Sequence, residues 1–449
     1  MHKYIPVFNI YMIPTSRTMC NHTKSLAYFR SRQLHLLNLL CFLLVVALTI
    51  SSCSSSQKKE VKLPVKDSTL IELPTPATIS PFEKNELNLA CEHWYDSLLN
   101  RGGFNGAILV AKGGNIVFEK FRGTGHLNSN DTITNTTPFH IASVSKTITA
   151  MSILKLWQDG KLNIDDEYSK YFPAFNYPGV TIRTLLNHRS GLPNYLYFME
   201  DMGWDKKQYI KNQDVLTWLI NFKSQLDVGA PGKHFTYCNT NYALLALLAE
   251  KVTNMSFPDF IKKEFFHPLG MEHSFIFTHE DSAKVNPSYD WRGQMIPLNF
   301  LDLVYGDKNV YTTAEDLLLW DRALRCNLIF KPETLLEAYK PYSNEKPGVR
   351  NYGLGWRMNL YPNGKKLIYH NGWWHGYNAS FIRLIDEDAT IIVMGNKFDR
   401  TVYKAKTLAP VFGARYITGE EEENDNVKAG DSTAVTAPKK KIIRRRKRR

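Results

Sequence analysis

Strand-like patterns lie at the two ends of the globular part of this chain, and helical patterns fill the middle. Near the start, two β-rich runs flank Gly113-Gly114 within residues 106–120, which predicts a hairpin. Strand patterns return only late, at residues 366–370, 379–385 and 389–395. We therefore predict an α/β (α+β) fold in which one antiparallel sheet, flanked by helices, is built from both chain ends and carries a mainly helical insertion.

Helical patterns support this division of the chain. Four segments of the insertion have the apolar spacing of helices, namely residues 143–158, 240–253, 257–267 and 314–326. A further helix is predicted at residues 85–100, before the hairpin. The apolar content of 43%, including 12% aromatic residues, is sufficient for a sizeable core.

The formal net charge of +13 comes from the two terminal segments. Five basic residues and no acidic residue lie within residues 1–52, and nine basic residues lie within residues 439–449. The body between them is close to neutral, which argues against a surface for nucleic acid. Residues 419–449 change from acidic to basic and are predicted to be a disordered tail. Two roles for the basic end remain open, a solvated extension or a contact with anionic surfaces outside the cytoplasm.

The N-terminal segment is typical of an exported protein. Residues 36–50 are almost wholly apolar and follow a basic stretch, so residues 1–52 are predicted to be a signal peptide. The apolar run is short for a membrane-spanning helix. Ile50-Ser51-Ser52-Cys53 resembles a bacterial lipobox, which predicts a lipid on Cys53 and a membrane-anchored protein of the bacterial cell envelope that faces the periplasm or the surface. A plain secretory signal is the alternative.

Polar residues and prolines dominate residues 53–83, which are predicted to be a tether between the anchor and a globular domain at residues 84–418. Cys91, Cys238 and Cys326 are the cysteines that remain beyond Cys53. Their number is odd, and no two of them form a Cys-x-x-Cys pair. Neither a disulfide framework nor a metal site is therefore expected.

The first motif that carries chemistry is Ser143-Val-Ser-Lys146, at the start of a segment with almost no polar face. A spacing of three places Ser143 and Lys146 on one side of a buried helix. Burial disfavours the ammonium form of a lysine, so Lys146 is a candidate general base for the Ser143 nucleophile. The same spacing recurs four times elsewhere, for example at Ser152 and Lys155, so the pattern alone is weak.

Two further motifs follow in the chain. Tyr237-Cys238-Asn239 precedes the predicted helix at residues 240–253, and its Tyr and Asn could face one cleft. His370-Asn371-Gly372 ends a β-rich run and is the one His-x-Gly of the sequence. A glycine at the end of a strand permits close approach of a substrate to the backbone.

In this order, Ser-x-x-Lys, Tyr-x-Asn and a basic residue-x-Gly resemble the signature of class C β-lactamases and related DD-peptidases. Flanking runs such as Thr184-Leu-Leu-Asn-His188-Arg-Ser-Gly-Leu-Pro193 and Pro268-Leu-Gly-Met271 are also similar to landmarks of this family. The resemblance covers residues 85–412 and implies a β-lactamase/transpeptidase-like fold. It also implies a serine hydrolase that forms an acyl-enzyme without a metal or organic cofactor.

Residue by residue, the resemblance implies that Ser143 attacks the substrate carbonyl while Lys146 and Tyr237 transfer its proton to the leaving group. Asn239 would orient the substrate amide. The backbone N–H groups of Ser143 and Trp373 would bind the oxyanion.

His370 stands where class C β-lactamases have a lysine, and some DD-peptidases of the family resemble this chain in having histidine there. Because imidazole titrates near neutral pH, His370 beside Gly372 is expected to bind a substrate carboxylate more weakly than lysine would. D-amino-acid peptides of the cell-wall type are the expected substrates, followed by β-lactams and then simple esters. A penicillin-binding sensor without turnover is the alternative from another class. His188 and Cys238 are interpreted as structural residues.

The lipobox-like segment yields a prediction about localisation. Replacing Cys53 with alanine removes the thiol that would carry the lipid, so the protein should move from the membrane fraction to the soluble fraction and keep its activity. Fractionation and immunoblotting of wild type and Cys53→Ala measure this. A Cys53→Ala protein that stays in the membrane after deletion of residues 439–449 as well would indicate an uncleaved membrane helix.

Overall fold

The computed structural model describes residues 70–413 and residue 416. The predicted signal peptide, Cys53, the first part of the predicted tether and the predicted tail lie outside these residues. Within the described range, no helix combines the length and the apolar character that crossing a membrane requires.

A seven-stranded antiparallel sheet forms the base of the fold, in the order β2-β1-β12-β11-β10-β9-β8. Its strands are β1 (Gly106–Lys112), β2 (Asn115–Arg122), β8 (Arg350–Tyr352), β9 (Arg357–Leu360), β10 (Lys366–Trp374), β11 (Tyr377–Leu384) and β12 (Ala389–Gly395). Early and late strands meet where β1 pairs with β12, with Ala107 opposite Met394. The prediction of one antiparallel sheet built from both chain ends is confirmed.

The helical insertion lies between β2 and β8 and includes two small sheets. The helices of the domain are α1 (Pro81–Leu98), α2 (Ser145–Gln158), α3 (Ile182–Leu186), α4 (Tyr195–Asp201), α5 (Asn212–Asn221), α6 (Asn239–Thr253), α7 (Phe257–Ile261), α8 (Ala314–Arg325) and α9 (Pro332–Ala338). The small sheets consist of β3 (Phe139–His140), β7 (Val310–Thr312) and β4 (Phe275–Ile276), and of β5 (Ser288–Tyr289) and β6 (Met295–Ile296).

Both faces of the central strands β1 and β12 are buried, which explains why these strands are almost continuously apolar. Ile108 and Val110 of β1 pack on one side with Trp94 of α1. Leu109, between them in sequence, packs on the other side with the insertion. This alternation follows from the two-residue repeat of a strand. On the insertion side, α8 packs against β1 and β12, the turn at residues 142–144 packs against β10 and β11, and α6 packs beside α2.

Three elements differ from the sequence prediction. Helix α1 begins at Pro81, before the expected residue 85, because the Ser80 side chain caps the Glu83 N–H at 3.1 Å and proline is favourable in the first turn. Residues 71–80, assigned to the tether, are bound to the domain, as in the 2.9 Å hydrogen bond from Ala77 N–H to the Gly113 carbonyl. Strand β10 continues to Trp374, so Gly372 lies inside a strand and not at its end.

A buried ion pair joins α8 to the main sheet. The side chains of Asp321 in α8 and Arg383 in β11 are each 1% exposed and form a salt bridge. Arg325 donates to the second oxygen of Asp321 at 2.7 Å, and Thr390 of β12 donates to the same oxygen. Burial by itself raises the pKa of Asp321, but the charges of Arg325 and Arg383 outweigh this effect and hold the pKa below its ordinary value.

Replacing Asp321 with asparagine should therefore lower the free energy of unfolding at neutral pH by about 3 kcal/mol, because the buried Arg383 loses its counter-charge. The contribution of this carboxylate is present above its unfolded pKa and is lost as the pH falls through its folded pKa. The difference between wild type and Asp321→Asn should therefore shrink in acid. Urea unfolding followed by fluorescence at several pH values measures both effects.

Asp159→Asn provides the control, because Asp159 pairs with Lys155 at 2.6 Å in a partly exposed position. Its loss should cost at most about 1 kcal/mol. Equal losses in the two variants would contradict the role assigned to the buried pair.

Candidate active site

The Ser143 motif lies where the main sheet meets the insertion. Residues Ala142–Val144 form a 3-10 turn that leads into α2. Ser143 is 8% exposed, whereas Lys146, one turn further, is fully buried. The Nζ of Lys146 lies 3.0 Å from the Oγ of Ser143, which is within the reach that proton transfer to a base requires.

The turn that carries Ser143 has a constrained backbone. Ala142 has a φ of 48°, in the left-handed region that residues other than glycine rarely adopt. Its N–H donates to Nδ1 of His140 at 3.1 Å. Burial lowers the pKa of His140 to about 4, so Nδ1 remains an acceptor at neutral pH. This contact holds the turn in the conformation that places Ser143 before α2.

Lys146 has a second partner on the other side. Its Nζ donates to the backbone carbonyl of Asp307 at 2.7 Å. The Asp307 side chain is itself fixed, since its Oδ2 accepts from Tyr195 at 2.9 Å and lies 3.3 Å from the Nζ of the buried Lys308. The sequence analysis did not find Asp307, because a backbone carbonyl has no residue pattern and this one lies far along the chain.

Gly372 allows β10 to lie directly against the Ser143 turn. A Cβ atom at this position would come within 2.1 Å of the Ile141 carbonyl and 3.1 Å of the Ala142 Cβ. Any other residue would push the strand away from the nucleophile. The sequence analysis expected a glycine here because a substrate would approach the strand closely. In the structure, the backbone of the Ser143 turn approaches Gly372 as well.

Tyr237 lies beside Lys146, and Asn239 follows two residues later. The Nζ of Lys146 lies 4.9 Å from the centre of the Tyr237 ring. Asn239 is the first residue of α6 and is 4% exposed. Cys238 between them is buried, and burial raises its pKa to about 11, so its thiol is not activated. The structure thus places Ser143, Lys146 and Tyr237 together.

The expectation for His370 needs correction. Its side chain is fully buried, and its Nε2 lies 3.3 Å from the hydroxyl of Tyr352. Burial, followed by the charges of Arg357 and Lys146, holds the pKa of His370 well below its usual value. The imidazole is therefore neutral near pH 7 and is not the titrating charge that the sequence analysis expected, while a contact between His370 and the substrate stays a prediction.

Trp373 follows Gly372 on the open edge of β10. Strand β9 pairs with β10 only from Lys366 to Tyr369, so the residues after His370 lie beside the Ser143 turn and not beside β9. The Trp373 indole donates to the His375 carbonyl at 2.8 Å, and its ring lies 5.3 Å from that of Phe398. The role of the Trp373 N–H in an oxyanion site stays a prediction.

Arg357 is a further residue of the site that the sequence analysis missed. Its guanidinium carbon lies 5.1 Å from the centre of the Tyr237 ring. It lines a cavity of about 730 Å³ together with Tyr352, the acidic residue Glu345 and the basic residues Lys346 and Arg350. A lone arginine in a short strand gives no motif, so only the fold reveals this position.

Among residues 70–413 and 416, no group of three or more His, Cys, Asp or Glu side chains is placed to hold a metal ion. The polar groups around Ser143 are those of an amine, a phenol and amides. Such groups serve acid–base and nucleophilic chemistry.

Comparison with known proteins gives the family. Residues 92–412 match the family described as Beta-lactamase. The chain is 31% identical over 359 residues to Penicillin-binding protein 4* of Bacillus subtilis (strain 168), covering 75% of this chain and 79% of that protein.

Solved structures agree with this assignment. A penicillin binding protein from Bacillus halodurans aligns with a TM-score of 0.62 and 25% identity, covering 70% of this chain and 97% of that one. A D-stereospecific amidohydrolase from a Streptomyces species shares the fold, with a TM-score of 0.55 and 20% identity over 71% of this chain and 98% of that one. The chain therefore belongs to the β-lactamase family of serine hydrolases and penicillin-binding proteins.

Proposed function

We propose that the protein is an exported serine hydrolase that forms an acyl-enzyme on Ser143. The observation that carries this proposal is the 3.0 Å contact between the Ser143 hydroxyl and the fully buried amine of Lys146. Tyr237 lies next to the same amine. A nucleophile, a base and a proton carrier within one pocket are the parts that acyl transfer needs.

In the proposed reaction, Lys146 accepts the Ser143 proton as Oγ forms a bond to the substrate carbonyl. Tyr237 then delivers its phenol proton to the leaving nitrogen as the carbon–nitrogen bond breaks, and Lys146 passes the Ser143 proton on to Tyr237, which leaves an ester on Ser143. Water attacks this ester, and its proton passes back through the same groups to Ser143. Asn239 and the open edge of β10 would hold the substrate backbone, with the N–H groups of Ser143 and Trp373 on the oxyanion.

The favoured substrates are D-amino-acid peptides of the cell-wall type that end in a free carboxylate. The names of two similar proteins, a penicillin-binding protein and a D-stereospecific amidohydrolase, support this class. Arg357 supports it as well, because its guanidinium provides a permanent positive charge 5.1 Å from the centre of the Tyr237 ring. β-Lactams carry a similar carboxylate and come next, followed by simple esters. A sensor that is acylated once without turnover is the alternative.

The site of action proposed here is the cell envelope. A lipid on Cys53 would anchor the protein, and the polar segment after it would allow the domain to reach a polymer beyond the membrane. The basic tail would add contacts with anionic surfaces.

The nucleophile is tested by replacing Ser143 with alanine. Intact-mass spectrometry after exposure to a penicillin, a D-Ala-D-Ala peptide and an activated ester should show one acyl adduct in wild type and none in Ser143→Ala. Ser152→Ala is the matched control, because Ser152 is fully buried on α2 and, like Ser143, precedes a lysine by three residues. Full labelling of Ser143→Ala would refute the assignment, and steady hydrolysis in wild type would exclude the sensor.

The role of Arg357 is tested with a peptide that has a free C-terminal carboxylate and with its amidated form. Arg357→Gln should lower kcat/KM for the free acid by about 10- to 100-fold and should change the value for the amide little. In wild type, the preference for the acid should stay constant from about pH 5 to about pH 9, because arginine remains charged and His370 remains neutral. A preference that disappears between pH 6 and pH 8 would instead indicate a titrating histidine at the carboxylate.

A further inference from the structure

We propose that His188 is a positioning residue for Tyr237, which it holds in place for proton transfer to the leaving group. This inference rests on the acyl transfer proposed above. His188 lies at the end of α3, more than forty residues before Tyr237 in the sequence. The sequence suggested only that it satisfies a loop backbone.

The first support is that His188 binds the chain on both sides of Tyr237. Its backbone carbonyl accepts the N–H of Thr236 at 2.8 Å. Its side-chain Nδ1 accepts the N–H of Cys238 at 3.1 Å. Two hydrogen bonds to one residue thus fix the Phe235–Thr236 and Tyr237–Cys238 peptide units, one on each side of the phenol.

The second support is direct contact between the rings. The centre of the His188 ring lies 4.4 Å from that of Tyr237, at an interplanar angle of 41°. Tyr352 and Tyr242 surround the same imidazole at 4.9 Å and 5.0 Å. His188 itself is fully buried, so a rigid group supports the phenol.

The third support is the protonation state of His188. Burial, followed by the nearby basic groups of Lys146 and Arg357, holds its pKa well below the usual value. The ring is therefore neutral. Because Nδ1 accepts the Cys238 N–H, the proton belongs on Nε2, which is buried without a hydrogen-bond partner among the described residues. The contact with Cys238 therefore does not change over the pH range in which the enzyme would act.

The backbone of His188 suggests a conservative variant. Its φ is 58°, in the left-handed region, which asparagine adopts more readily than most residues. The Oδ1 of asparagine can also replace Nδ1 as acceptor for the Cys238 N–H. His188→Asn therefore keeps the hydrogen bond and the backbone conformation but removes the ring, whereas His188→Ala removes both side-chain contacts.

The test compares two substrates that share one acyl group, an amide with a poor leaving group and a p-nitrophenyl ester with a good one. The amide needs a proton from Tyr237, whereas the p-nitrophenolate leaves without one. His188→Ala should lower kcat for the amide by about 100-fold with little change in KM, because small misplacement of a catalytic group has an effect of this size. The ester should lose much less.

The controls separate positioning from a loss of folded protein. Tyr237→Phe should show the same dependence on the leaving group, and His188→Asn should recover part of the amide activity. Val215→Ala removes volume at a fully buried position in α5 and should lower thermal stability without changing the ratio of amide to ester rates. If His188→Ala does not fold, His188→Asn becomes the test variant. Its loss of activity should be smaller, and it should again be larger for the amide than for the ester.

The inference would be overturned if both His188 variants lost amide and ester activity equally and Tyr237→Phe still lost more activity toward the amide than toward the ester. The absence of any acyl adduct in wild type, or an active Ser143→Ala, would instead overturn the proposed function and this inference with it.

Discussion

The close contact between β10 and the Ser143 turn is the constraint on which the site depends. Without a side chain at Gly372, the strand approaches the Ile141 carbonyl closely enough to place its open edge beside the nucleophile. The strand belongs to the sheet built from both chain ends, whereas Ser143 leads into the buried helix of the insertion. The site therefore lies at the interface between the sheet and the insertion of one domain, and both parts contribute residues to it.

Much of the fold could be predicted from the sequence, since the long elements carry their own patterns. The hairpin at Gly113-Gly114, helix α2 and strand β12 were expected within one or two residues of their observed bounds, because strands and helices buried on both sides are almost wholly apolar. Short helices such as α3 and α5 were missed, since a few apolar residues do not define a period. Strand β10 was predicted too short because the polar residues His370 and Asn371 interrupt its apolar run.

The candidate site residues that belong to sequence motifs could be predicted. The residues that reach the site only through the fold could not. Ser143, Lys146 and Tyr237 were found through spacing and a family resemblance. The Asp307 carbonyl and the Arg357 guanidinium reach the site from distant segments, and no local pattern encodes such contacts. The charge state of His370 was misjudged for a related reason. Burial and nearby cations determine its pKa, and neither can be read from the residues beside it in sequence.

The contact between Lys146 and residue 307 has an evolutionary consequence, because its acceptor is a peptide oxygen. Every amino acid provides that oxygen, so no single codon change at position 307 can delete it. Such a change can only shift the segment that presents it. Sequence variation at this position should therefore follow the shape of the loop and its buried neighbours Tyr195 and Lys308, while a comparison of side chains would not reveal the hydrogen bond to the Lys146 amine.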